Sequence, residues 1–108
     1  MRRPRPGPFN FPAPPPVHVT SVYVNGDGSV TWEFDQIVID CPAEPHGLQV
    51  DGSDPIDVVS FGSNAVTIDY NDAPNVGDPW QCVPPVSDIV FINHGALVPS
   101  SGMVISPP

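Results

Sequence analysis

Seventeen of the 108 residues are proline and nine are glycine, and this punctuation limits the chain more than any other feature. Inside a helix, proline removes a backbone donor and clashes with the preceding turn, so it is confined to first turns, edges and loops. No fifteen-residue window keeps an apolar pattern of helical period. Short strands joined by turns remain, and the apolar residues suit them. Valine and isoleucine dominate, while leucine occurs only at Leu48 and Leu97. β-Branched side chains are stiff at χ1 and pack well on a pleated surface. A chain of this length makes one domain, which buries roughly 60% of the surface its unfolded form exposes.

Turn signals divide the chain from Val17 onward. Val17 and Val19, then Val22 and Val24, alternate with a change of phase at Thr20–Ser21, which predicts a bulge. Asn25-Gly26-Asp27-Gly28 is a hairpin turn, because Asn and Gly tolerate positive φ. Val30, Trp32 and Phe34 alternate with Thr31, Glu33 and Asp35 in the clearest half-buried strand. Ile37 and Ile39 fall in the opposite phase, so that strand bends or ends near Asp35–Gln36. Further strands are expected at Leu48–Val50, from Ile56 through Val58 toward Phe61, at Val66–Tyr70 and at Trp80–Val83. The apolar run Ile89–Ile92 suits a fully buried strand, and Ala96–Val98 and Met103–Ile105 complete the set. Seven to nine short strands with closely spaced turns read as an all-β sandwich or barrel. The alternation places Trp32, Phe34, Val50, Val66, Ile68, Ile89 and Phe91 in its core.

Residues 1–16 are different in kind. They hold seven of the prolines, which favour an extended polyproline II conformation and cannot build a core. Phe9 and Phe11 would point the same way in extended chain, as suits an arm that docks into a groove. The charge is divided at the same place. Arg2, Arg3 and Arg5 are the only Lys or Arg residues, whereas all twelve carboxylates lie between Asp27 and Asp88. The domain organisation is therefore a basic, proline-rich docking arm at 1–16 and a β-domain at 17–108. The acidic body should repel nucleic acid and anionic membranes. No stretch of about 20 apolar residues would span a bilayer. The opening arginines are not followed by an apolar segment, so the chain is expected to stay in the compartment that makes it.

Catalytic and metal constellations are sparse. His18, His46 and His94 lie in separate segments, and there is no G-x-S-x-G and no phosphate-cradling glycine loop. A Cys41–His46–Cys82 zinc site would lack a fourth ligand and paired spacing. Asn25–Ser29 has the look of a calcium loop, but its twelfth position is Gln36 and not Glu. Asp51, Asp54 and Asp57 read as a solvated acidic edge. No catalytic residue, cofactor or metal site is expected. Cys41 and Cys82 leave two alternatives. A bond closing that loop would contribute about 4 kcal/mol at most; otherwise they are two reduced, partly buried thiols.

The order of motifs resembles that of stand-alone bacterial and phage immunoglobulin-like (fibronectin-type) domains. Val30-Thr31-Trp32-Glu33-Phe34-Asp35 is similar to their V-x-x-x-F-[SD] strand, and Leu48-Gln49-Val50-Asp51-Gly52 to the short strand before their central turn. Asn64–Tyr70 resembles their N-x-V-T-I strand, and Val76-Gly77-Asp78-Pro79-Trp80 their G-D corner. The resemblance spans residues 17–106. It implies an immunoglobulin-like sandwich, although no cysteine lies on the Trp32 strand to carry the inter-sheet bridge of antibodies. Such domains occur on phage capsids and tails. With the arm and the divided charge, the resemblance implies a non-enzymatic virion structural protein, a phage capsid decoration (cement) or tail accessory protein made in the host cytoplasm. Its partners would be further copies of itself, or a major capsid or tail protein, met through Arg2, Arg3, Arg5, Phe9 and Phe11. A secreted cell-surface adhesion or carbohydrate-binding module is the alternative, with Trp80 as its stacking platform. A third reading is an intracellular adaptor that binds through the Arg2–Pro6 segment.

Overall fold

The computed structural model describes residues 14–86 and 88–108. The fold is all-β, with nine strands among the described residues: β1 (Val19–Val24), β2 (Val30–Phe34), β3 (Val38–Asp40), β4 (Leu48–Val50), β5 (Pro55–Gly62), β6 (Ala65–Tyr70), β7 (Pro79–Cys82), β8 (Val90–Phe91) and β9 (Ser100–Val104). Four of them form an antiparallel sheet in the order β1-β2-β6-β5, three form a second in the order β4-β7-β9, and β3 pairs with β8. β1 also joins the two larger sheets. It is antiparallel to β2 along its length, while Val22 and Val24 exchange backbone hydrogen bonds with Ser106 just beyond β9. That closes one side of the molecule and leaves β5 and β4 as sheet edges.

The sequence dictates this through alternation. In β2, Val30, Trp32 and Phe34 are buried, and the strand lies between β1 and β6, so Thr31 on its outer face is covered as well. The Thr31 and Thr67 hydroxyls, directly opposite across β2 and β6, lie 2.9 Å apart, and the Asn25 amide donates to Thr31. The expected bulge falls between Val19 and Ser21, and the expected bend at Asp35–Gln36 separates β2 from β3. At the hairpin, Gly28 takes a φ of 90°, and the Asp27 carboxylate accepts from both the N–H and the hydroxyl of Ser29. Those bonds hold its carboxyl below the usual range, the hydroxyl contributing most. The loop that has the look of a calcium site thus spends its carboxylate on its own backbone.

One apolar cluster fills the space between the sheets, and all seven expected core residues belong to it. The Trp32 ring meets Trp80 edge-on at 5.3 Å, and Phe34 meets Phe91 at 5.2 Å. Such pairs add about 0.5–1.5 kcal/mol beyond burial alone. Tyr70 supplies the polar link. Its hydroxyl accepts from the Trp32 indole N–H at 3.0 Å and donates to the Leu48 carbonyl, so β2, β6 and β4 share one buried chain of hydrogen bonds. Burial drives the Tyr70 phenol strongly upward, so it stays a neutral donor.

Three expectations need correction, the first being Ala96–Val98, which is no strand but a single bridge from Leu97 to Val17. Ile89–Ile92 is not one buried strand: β8 covers only Val90–Phe91, Ile89 and Phe91 face inward, and Ile92 is 49% exposed. A strand paired on one side at a sandwich margin has an outward face, which a fully apolar run does not reveal. β5 is longer than expected, and Ile56, Val59 and Phe61 point into solvent. Register shifts after Pro55 and after Val58 break its alternation, leaving Val58 as the partly buried side chain that packs on the core.

Candidate docking surface

Arg2, Arg3, Arg5, Phe9 and Phe11 lie outside the described residues. What the structure gives is the root of the arm and the body it leaves. Pro14, Pro15 and Pro16 are exposed, but Val17 is fully buried and runs parallel to Leu97. Its N–H donates to Ala96 and its carbonyl accepts from Val98, at 2.9 and 2.8 Å. The Pro15 carbonyl accepts from the Gln36 amide at 3.1 Å. Gly95 leaves no room for a β-carbon, which would run into that same Pro15 carbonyl. One residue further on, the Asp35 N–H donates to the His18 carbonyl, the His18 N–H donates to the Asp35 carboxylate, and the His18 ring lies 3.0 Å from that carboxylate. The His18 N–H, with smaller help from its ring, holds the Asp35 carboxyl below the usual range. The segment from Pro14 therefore joins the body at a fixed point.

The body has no Lys or Arg at all. Glu33, Asp57 and Asp69 stand on strands of the four-stranded sheet. Asp57 of β5 stands directly opposite Asp69 of β6, a like-charge pair that destabilises a sheet unless a cation meets it. Beyond this pair lies the free edge of β5. Its strand bonds all go to β6, and its outward side chains include Ile56 (48% exposed), Val59 (52%) and Phe61 (44%). The β3–β8 pair packs near its far end, where the Val38 N–H donates to Ser63. Ile37 and Ile39, which flank buried Val38, are half exposed there, as is Ile92, whose N–H donates to Ile37. An apolar strip with an acidic margin results. Sequence reasoning missed it because Ile56, Val58 and Phe61 read as another half-buried strand.

Among the described residues, chemically active groups are not concentrated elsewhere. Cys41 and Cys82 are free thiols. Burial pushes each up to about 11, with the Asp40 charge adding to the effect at Cys41. Thiols held in the protonated form are poor nucleophiles and poor metal ligands. Glu44, His46 and Asp88 line a cleft of about 320 Å³ with Pro42, Pro85 and Val86. Among the described residues, no three His, Cys, Asp or Glu side chains converge as a metal site would require. Trp80 is 5% exposed and packed on Trp32, so it offers no stacking face to a sugar. No helix of the described residues is long and apolar enough to cross a membrane. No family model, no curated protein and no solved structure matches the chain.

Proposed function

We propose that the chain is a non-enzymatic structural protein of a virion, a capsid decoration (cement) or tail accessory protein, that attaches through its N-terminal arm. Its partners are other copies of itself or a major capsid or tail protein. One observation carries this reading: the only three basic side chains stand at positions 2, 3 and 5, ahead of a root that the body fastens at Pro15, Val17 and His18. A frayed end has no use for such a mounting, whereas an arm that must leave in one direction does. Linking a flexible arm to a fixed body also makes later contacts within an assembly intramolecular, which raises their effective strength.

The strand order supports the immunoglobulin-like part of the reading. With β3 and β8 set aside, β1-β2-β6-β5 over β4-β7-β9 follows the ABED and CFG order of constant-type domains. A fold does not assign a function, so the weight rests on the arm and the charge. The acidic body disfavours nucleic acid as a partner. The burial of Trp80 takes away the side chain that the carbohydrate-binding alternative relied on.

Immunogold microscopy with an antibody to the body, applied to the cells and lysate that make the chain, tests the setting. Label at regular positions on particles is expected. Label confined to the cell surface, with saturable binding on a glycan array, would transfer the chain to the adhesion reading.

A further inference from the structure

We infer that the outer face of the β3–β8 pair, built by Ile37, Ile39 and Ile92, is the seat of Phe9 and Phe11 of the same chain, so that the arm of a free copy lies along its own body. The inference rests on the reading that the arm is a docking element, and it names the surface that holds the arm before a partner does.

The seat follows from register. Val38 and Phe91 stand opposite one another and are buried, and one step nearer the root the Ile92 N–H donates to the Ile37 carbonyl. Ile37 and Ile92 therefore lie side by side on the outer face, and the register shift between Val38 and Asp40 leaves Ile39 exposed as well. Three half-exposed isoleucines on two short strands make an apolar patch of the kind that marks an interaction site. Asp40 closes the far end of β3, and beyond it Glu44 and Asp88 line one cleft. The body has no lysine or arginine to meet these carboxylates.

The root decides the occupant. The Pro15 carbonyl accepts from the Gln36 amide, and Gln36 is the residue before Ile37. Phe11 stands four residues before Pro15 and so reaches up to about 13 Å from it, while Ile39 lies about 10 Å beyond Gln36 along β3. The order of chemistry agrees. Outward from Pro15 the arm offers Phe11 and Phe9, then Arg5, Arg3 and Arg2; outward from Gln36 the body offers the isoleucines, then Asp40 and the Glu44–Asp88 cleft. Gln36 Oε1 is buried without a donor among the described residues, and buried acceptors are nearly always paired. Ala13 carries the first N–H upstream, since Pro14, Pro15 and Pro16 have none.

A second copy is the weaker competitor. A tether of a few residues holds Phe11 near the patch at an effective concentration on the order of millimolar, which a free chain must match in solution. Pro12, Pro14, Pro15 and Pro16 lower the ordering cost further. Seated this way, the arm covers the isoleucines of the free chain and reaches a partner only by leaving them.

Methyl NMR of the full chain tests this, because an aromatic ring stacked on a methyl group moves its proton resonance upfield. Phe9→Ala with Phe11→Ala should move the Ile37, Ile39 and Ile92 methyls downfield together, by the same amount at every protein concentration, and leave Ile56 of β5 in place. Ile39 is half exposed, so Ile39→Lys is compatible with the fold, which circular dichroism verifies. It should release the arm and bring Ile37 and Ile92 toward their positions in the phenylalanine variant. Isoleucine methyls indifferent to loss of the phenylalanines overturn the inference. A response that grows with concentration also overturns it and gives the arm to a second copy, and a response confined to Ile56 overturns it by moving the seat to β5. Particle attachment separates the seat from the proposed function. Attachment lost in the phenylalanine variant, with the isoleucines unmoved, would sink the seat and leave the docking arm standing. Isoleucines that move while attachment is unchanged keep the seat and remove the arm from attachment.

Discussion

Tyr70 shows how a single side chain can hold two sheets in register. Its hydroxyl is buried and satisfies both the Trp32 indole N–H and the Leu48 carbonyl. Tyr70→Phe keeps the ring but leaves those two groups without a partner, at a cost of about 1–3 kcal/mol. In a urea titration the midpoint should fall with the slope unchanged; an unaltered midpoint would mean that water or a shift of Trp32 replaces the hydroxyl. Asp35 acts at the root of the arm and makes a pH prediction. Its folded pKa lies below the unfolded value of 3.8, so its contribution is complete above that value and is lost as pH falls through the lower folded one. Repulsion among the twelve carboxylates changes over the same range, so the informative quantity is the difference between the parent and Asp35→Asn. That difference should shrink from about pH 5 to pH 2, and a difference constant with pH would exclude the carboxylate as its source. Trp32, Phe34 and Ile68 were legible as core residues, because alternation within one strand fixes the face. The Tyr70 link and the Gly95 cut-out were not, because each depends on a residue brought from a distant strand.

Among the elements, legibility is clearest inside the four-stranded sheet. β2 and β6 lie inside the four-stranded sheet, and their alternation in sequence is the alternation of burial in the fold. β5 and β8 have a single strand neighbour each, and there the apolar pattern misleads. Valine and isoleucine face solvent on β5 and beside β3, where the sequence alone reads core. The root of the arm belongs to this scale as well. Gly95→Ala drives a β-carbon into the Pro15 carbonyl and against the buried Val17 side chain. The expected result is a body destabilised by about 1–3 kcal/mol, as for overpacking beside a core side chain. Hydrogen exchange at Val17 and Val98 should rise, and assembly should weaken. Unchanged exchange at those two amides would show that Pro15 moves aside at no cost, and the mounting would lose its meaning.

At the scale of the whole molecule, the division of charge organises everything else. The basic residues and two phenylalanines stand on one side of the root, and the carboxylates stand on the other. Exposed ion pairs are each worth about 0–1 kcal/mol and are screened by salt. Desolvated aromatic side chains supply more. Phe9→Ala with Phe11→Ala should therefore remove most of the binding at any ionic strength, while replacing Arg2, Arg3 and Arg5 should matter mainly at low salt and act on the association rate. Equal salt dependence in both variants would contradict that division of roles. The most direct test of the arm itself is native mass spectrometry of the intact chain and of a chain lacking residues 1–16, each alone and with the particle it is recovered from. The truncated body should remain folded, stay monomeric and fail to occupy the particle. If it assembles and binds as tightly as the intact chain, the N-terminal segment is only a tail and the structural role proposed for it is wrong.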